Sequence, residues 1–175
     1  SEAASFLARG GAGALSARRL AESVGASTKV IYSHFDGMPG VIAAVYENAF
    51  RQIAEELSAA ALTATATRGR LKAVGRAYRT FAVSNPDLFE LMYGSSAREL
   101  IPGRDDRATA ADSLDVIAFI YAADIAAKSI RQKDRARAYK FWATIHGPVA
   151  LEASGWLDHD ADKIFAATLA AALTL

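Results

Sequence analysis

Apolar residues recur at intervals of three and four through nearly the whole chain and nowhere alternate long enough to make a strand, so the expected fold class is all-α. Breaks in that rhythm divide the chain into about nine helices. A short apolar helix runs from Ser1 to Arg9 and stops at Gly10-Gly11. Ser16 can cap a second helix through Val24, Gly25 supplies a tight turn, and Ser27 caps a third that reaches His34 or Phe35. Asp36-Gly37 breaks the chain again, and Pro39 suits the first turn of a long fourth helix, with Ile42, Val45, Ala49 and Ile53 on one face. A fifth helix carries Leu71, Val74, Tyr78 and Phe81. Asn85-Pro86-Asp87 opens a sixth with Phe89 and Met92, and the stretch from Ala97 to Arg107 reads as a loop. The seventh, from Thr109 to Arg131, is apolar nearly all round and needs neighbours on more than one side. The eighth, Asp134 to Ser154, places Tyr139, Trp142, His146 and Val149 on one stripe with Phe141 and Ile145 beside it, and an alanine-rich ninth runs to Leu175.

Composition then removes whole classes of function. With no cysteine there are no disulfides, thiolate metal sites or thiol nucleophiles, which fits a cytoplasmic protein. Arg, Lys, Asp or Glu interrupts every apolar run before the ~20 residues a membrane span needs, so no membrane association is expected. No His-Glu-x-x-His or Gly-x-Ser-x-Gly motif occurs, and the three histidines are far apart in sequence. The chain is therefore expected to be no enzyme and to hold no cofactor or metal. Asp158, His159, Asp160 and Asp162 resemble a metal cluster, but acids gather at helix N-termini because the dipole favours them there. The basic run Lys128, Arg131, Lys133, Arg135, Arg137 and Lys140 reads as a solvated helix junction.

The formal charge is only +1, yet between Arg9 and Phe35 the cations Arg9, Arg18, Arg19 and Lys29 face the single anion Glu22. Positive charge is thus concentrated where two short helices flank Gly25. Leu20, Val24, Ile31 and Phe35 can form a small core between those helices, and Ala21 is small enough to let them cross closely. The spacing is that of a helix-turn-helix, whose second helix enters the DNA major groove. Two ordinary packed helices would give a similar pattern.

Leu20-Ala21-Glu22, Gly25 and Ser27, followed by Ile31-Tyr32-Ser33-His34-Phe35, closely resemble the DNA-binding domain of the TetR family. Asn85-Pro86-Asp87-Leu88-Phe89-Glu90-Leu91-Met92 and Trp142-Ala143-Thr144-Ile145-His146-Gly147 resemble the TetR C-terminal domain named for its Trp-His-Gly signature. The resemblance implies a three-helix DNA-binding domain over residues 1–38 and a ligand-binding and dimerisation bundle over 39–175, joined by the long helix. It implies a ligand-responsive transcriptional regulator, a repressor that binds a near-palindromic double-stranded operator as a homodimer and is released by a small molecule. Thr28 and Lys29 fall where base contacts are made, and Arg18 where some relatives read a base. Ser16, Ser27, Tyr32, Ser33 and His34 fall where phosphates are usually held. Met38 stands where relatives usually place a phosphate-gripping lysine, and relatives generally start earlier, often with a basic arm. The last two helices are the expected dimer interface, their alanine and aliphatic content exceeding what one internal face requires. Phe89, Met92, Tyr93, Phe119, Tyr121 and Trp142 are the candidate ligand residues, for an apolar or aromatic effector. The competing class is an all-helical small-molecule binding protein with a degenerate DNA-binding domain.

Overall fold

The computed structural model describes residues 17–23, 25, 27–94, 106–122 and 130–175, without the side chains of 17, 23 and 106–112. Among them are eight helices and no strand, so the fold is all-α. In chain order they are α1 (Ala17–Ser23), α2 (Thr28–Phe35), α3 (Met38–Ala61), α4 (Thr67–Ser84), α5 (Pro86–Tyr93), α6 (Asp106–Ala122), α7 (Gln132–Ala153) and α8 (Ala161–Ala172). The helix expected over Ser1 to Arg9 lies outside the described residues. Two compact units emerge, one within Ser1–Phe50 and Asp87–Ala110 and the other within Arg51–Pro86 and Ala111–Leu175. Helix α3 gives its first half to one and its second half to the other.

In the first unit, backbone conformations that only a few residues tolerate set the helix ends. Gly25 has φ +64° between α1 and α2, and Asp36 (φ +53°) and Gly37 (φ +87°) turn the chain from α2 into α3. Leu20 and Ala21 of α1, Ile31 of α2, Val41 and Ile42 of α3 and Leu91 of α5 form one buried cluster, with Met38 and Val45 packed against it. Phe35, expected in this core, is 39% exposed. It is the last residue of α2, ahead of the left-handed turn, and Val41, Ile42 and Leu91 fill the core that it was expected to share. Val24 lies outside the described residues.

The second unit is built round α7, which packs against both α4 and α8. Phe141, Ile145 and Val149 of α7 are fully buried, and Val74, Tyr78 and Phe81 of α4 and Phe165 and Leu169 of α8 are the large buried side chains of the helices packed against it. Each such large side chain contributes roughly 1.5–3 kcal/mol. Gly75 permits the approach: a Cβ there would stand 2.6 Å from Leu169 Cδ1 and 3.5 Å from Phe141 Cζ. Of the expected stripe Val149 is buried, while Phe141 and Ile145, expected beside it, make up the rest of the buried face. Tyr139 is 48% exposed and Trp142 and His146 are half-buried, because the core runs one position earlier, through Phe141 and Ile145. Helix α7 ends in a Schellman turn, with Gly155 at φ +78° and the Trp156 N–H donating to the Leu151 carbonyl at 2.8 Å.

Two boundaries also move. The loop expected to reach Arg107 ends sooner, since α6 already contains residue 106. Arg131, expected to close that same helix, instead has extended backbone and caps α7. The stretch 123–129 lies outside the described residues.

Candidate functional site

The α1–turn–α2 segment presents a polar outer face. Thr28, Lys29, Tyr32, Ser33 and His34 of α2 and Ser27 before it are all exposed, with Tyr32 at 62%. Ser27 has the extended backbone of an N-cap, but its hydroxyl makes no capping bond, contrary to expectation. The backbone supplies the turn instead, Val30 N–H donating to the Ser27 carbonyl at 3.0 Å. Ser33 Oγ donates to the Val30 carbonyl at 3.2 Å, and His34 Nδ1 lies 3.2 Å from the same oxygen and 3.1 Å from Ser33 Oγ. A donor proton on Nδ1 satisfies those two acceptors and leaves Nε2 directed away from the helix backbone. Arg18 Nε pairs with Glu22 at 2.8 Å one turn along α1, both side chains well exposed, so the pair is weak and exchangeable. Met38 packs against the core cluster rather than facing outward. Ser16 lies outside the described residues.

The six candidate ligand residues divide between the units. Phe89 and Met92 are buried in the first, where the Tyr93 ring lies 5.0 Å from Phe89 and 5.7 Å from Phe50. Phe119, Tyr121 and Trp142 belong to the second. Phe119 lines a pocket of about 500 Å³ between the end of α3 and α6, together with Ala61, Leu62, Val116 and Ile120. Its walls are almost wholly apolar, with Ser58 and Asp115 as the polar members, and its volume is in the range of small-molecule sites. Asp115 is held by Arg135 Nη2 at 2.9 and 3.0 Å. Ser58, Leu62 and Val116 went unnoticed in the sequence because a single helix's pattern cannot show which faces bound a void. Tyr121 lies under the Arg137 guanidinium, 5.4 Å from its ring, and burial raises its phenol above the ordinary value. Arg131, Arg135 and Arg137 of the basic run thus have Asp134, Asp115 and Tyr121 as partners.

Trp142 and His146, one turn apart on α7, meet a partner that the sequence did not announce. Trp142 Nε1 donates to Tyr78 Oη at 3.2 Å, and Tyr78 Oη lies 2.6 Å from His146 Nδ1, the hydroxyl donating when that nitrogen carries no proton. Burial lowers the His146 pKa from its ordinary value, favouring the neutral ring that this chain of bonds requires. Because the folded pKa is depressed, the associated stability is present above the ordinary imidazole value of about 6.5 and is lost as pH falls from there toward the folded pKa. His146→Gln should therefore flatten the fall in thermal midpoint over that acidic interval, and an unchanged profile would remove His146 as its source. Tyr78→Phe removes the hydroxyl that both rings meet and should cost about 0.5–1.5 kcal/mol in chemical denaturation.

Asp160 pairs with Lys163 at 3.1 Å and Asp162 with Arg79 at 2.6 Å, so these acids serve the start of α8. Among the described residues no group of three metal-ligating side chains occurs, and no helix is long and apolar enough to cross a membrane.

Residues 71–172 match the family model described as the tetracyclin repressor-like C-terminal domain. No curated protein matches the chain. Among solved structures, SCO4313, a protein assigned a regulatory role, is similar over 99% of this chain and 92% of its own, with TM-score 0.77 and 26% identity. A protein of unknown function from Rhodococcus sp. RHA1 is similar over 99% and 90%, with TM-score 0.77 and 28% identity. A bacterial regulatory protein in the tetR family from Rhodococcus RHA1, 20% identical over 98% and 91% with TM-score 0.71, shares the fold.

Proposed function

Since the chain belongs to the tetracyclin repressor-like family, we propose that it is a cytoplasmic, ligand-responsive transcriptional repressor that binds a near-palindromic operator as a homodimer. The observation that carries this reading is the outward face of α2, where Thr28 and Lys29 stand at the helix start for base edges and Ser27, Tyr32, Ser33 and His34 flank them for phosphates. Arg18 joins them once its exposed pair with Glu22 opens, and Ser16 completes the set. Residues 1–38 form the DNA-binding domain and 39–175 the effector and dimer domain.

A single recognition helix buries too little surface for tight, specific binding, so two are needed, about one turn of DNA apart or a multiple. The outer stripe of α7, with Tyr139, Ala143, Gly147 and Leu151 exposed, and that of α8, with Ile164 and Ala171 exposed, support a four-helix interface across a twofold axis. An apolar or aromatic effector in the pocket beside Phe119 would release DNA by binding more tightly to a dimer whose recognition helices are wrongly spaced. Of the other ligand candidates, Tyr121 and Trp142 share that unit, while Phe89, Met92 and Tyr93 act through packing.

Binding of the purified protein to DNA flanking its own gene, against scrambled DNA at two salt concentrations, tests the reading. A preference of about 10³ or more that weakens steeply with salt is expected. Lys29→Ala should reduce it by about 1–3 kcal/mol, mostly at the bases it reads. Equal, salt-insensitive binding to both DNAs would favour a small-molecule binding protein with a degenerate DNA face, the reading to which the inward Met38 lends weight.

A further inference from the structure

Helices α4 and α8 run antiparallel, joined at one end by Arg79 with Asp162 and at the other by Arg68 Nη1 donating to the Leu173 carbonyl at 3.2 Å. Between these ties lies an open groove of about 550 Å³. Its floor is apolar, made by Phe165, Leu169 and Leu173 with Ala166 and Ala170, and its rim is cationic. Arg68, Lys72, Arg76 and Arg79 lie within about 80° of one another round α4 at 3.6 residues per turn.

Two of these cations are already engaged. Arg79 is held by Glu152 at 2.6 and 2.7 Å and by Asp162 at 2.6 Å, and stacks over the Phe165 ring at 5.0 Å. Arg68 is spent on the end of α8. Lys72 and Arg76 are exposed and have no ion-pair partner among the described residues. Like charges one turn apart, as in Arg68, Lys72 and Arg76, work against a helix. Such a row in a chain of net charge +1 is a local conflict of the kind that marks a functional surface.

We propose that this groove binds an amphipathic small-molecule anion, a carboxylate with an unbranched apolar tail. Lys72 and Arg76 take the anionic head, and the tail lies on Phe165, Leu169 and Leu173. Charge complementarity selects the head, the apolar floor selects the tail, and the volume is that of a small-molecule site rather than a macromolecular face. The groove is separate from the apolar pocket between α3 and α6, whose only charged lining residue, Asp115, is already paired. It borders α8 on the side away from Ile164 and Ala171, so an occupant would touch a helix of the proposed dimer without blocking it.

Calorimetric titration of the full chain with decanoate below its micellar concentration tests the assignment. Expected is one site per chain, weakened at least about tenfold in Lys72→Gln/Arg76→Gln, where two charge contacts with exposed side chains are lost. Ala170→Trp, which fills the exposed floor, should abolish binding, and Val116→Trp in the α3–α6 pocket should leave it unchanged. Three results would overturn the proposal: no decanoate binding, binding undiminished in Lys72→Gln/Arg76→Gln, or loss in Val116→Trp alone. Inorganic phosphate binding as tightly as decanoate would also overturn it, because the floor would then contribute nothing. None of these readouts involves DNA, so the result stands apart from that of the operator assay.

Discussion

Gly147→Arg is expected to turn the protein into a folded monomer. Gly147 is exposed in α7, and a Cβ at that position meets nothing within 4 Å, so the arginine enters open space in a single protomer. The exchange removes a helix-interior glycine, but Pro148 follows it and disfavours a Cβ-bearing residue in helical conformation just before its ring, so the two local effects oppose each other. In the proposed dimer the same position sits between Ala143 and Leu151 on the stripe that faces the partner. A long charged side chain there would keep the helices apart or be buried without a counter-charge, at a cost of several kcal/mol. About 4 kcal/mol raises the dimer dissociation constant about a thousandfold. Sedimentation velocity should show the monomer while circular dichroism stays helical, and operator affinity should fall in parallel. A variant that still sediments as a dimer would remove the outer face of α7 from the interface.

The largest loss of stability from a single polar side chain is expected at Arg79. Its guanidinium bridges α4, the end of α7 and the start of α8 through Glu152 and Asp162, and covers the Phe165 ring. The Glu152 hydrogen bonds, ahead of the opposing effect of burial, push the Arg79 pKa further above its already high value, so the group is charged at every accessible pH. Its side chain is 21% exposed and that of Glu152 15%, so water screens the pair only in part. Breaking a fully buried pair costs 3–5 kcal/mol, and the residual exposure reduces this to about 2 kcal/mol for Arg79→Met. Adding Glu152→Gln should recover part of the loss, since the cost lies mostly in the carboxylate left behind. Urea denaturation of the two single variants and the double variant measures the coupling, and strict additivity would mean that the pair contributes nothing.

Much of the fold was legible because its punctuation is local. Gly25, Asp36-Gly37 and Asn85-Pro86 restrict or release backbone angles within a residue or two, whatever lies elsewhere in the chain. The composition of the outward face of α2 was legible for a similar reason, since Thr28, Lys29, Ser33 and His34 are polar side chains on a short helix that needs only Ile31 buried. Periodicity could not say which of several apolar stripes α7 would bury. Tyr139 and Phe141 are both aromatic and only two positions apart, yet one is 48% exposed and the other fully buried. The candidate ligand residues were chosen for size, and the structure distributes them over two units because size carries no information about which residues share a void.

Sequence by itself determined an all-helical chain with a glycine-turned helix pair near its start, because helix propensity, capping and backbone restriction act over a few residues. Tertiary structure decided that Tyr78 lies between Trp142 and His146, that Arg79 ties three helices, and that Met38 turns inward while Phe35 does not. Those outcomes depend on burial and pairing between helices 64 to 73 residues apart in the chain, or on the packing of one helix end against its neighbours, and no local pattern encodes which surface a side chain will meet.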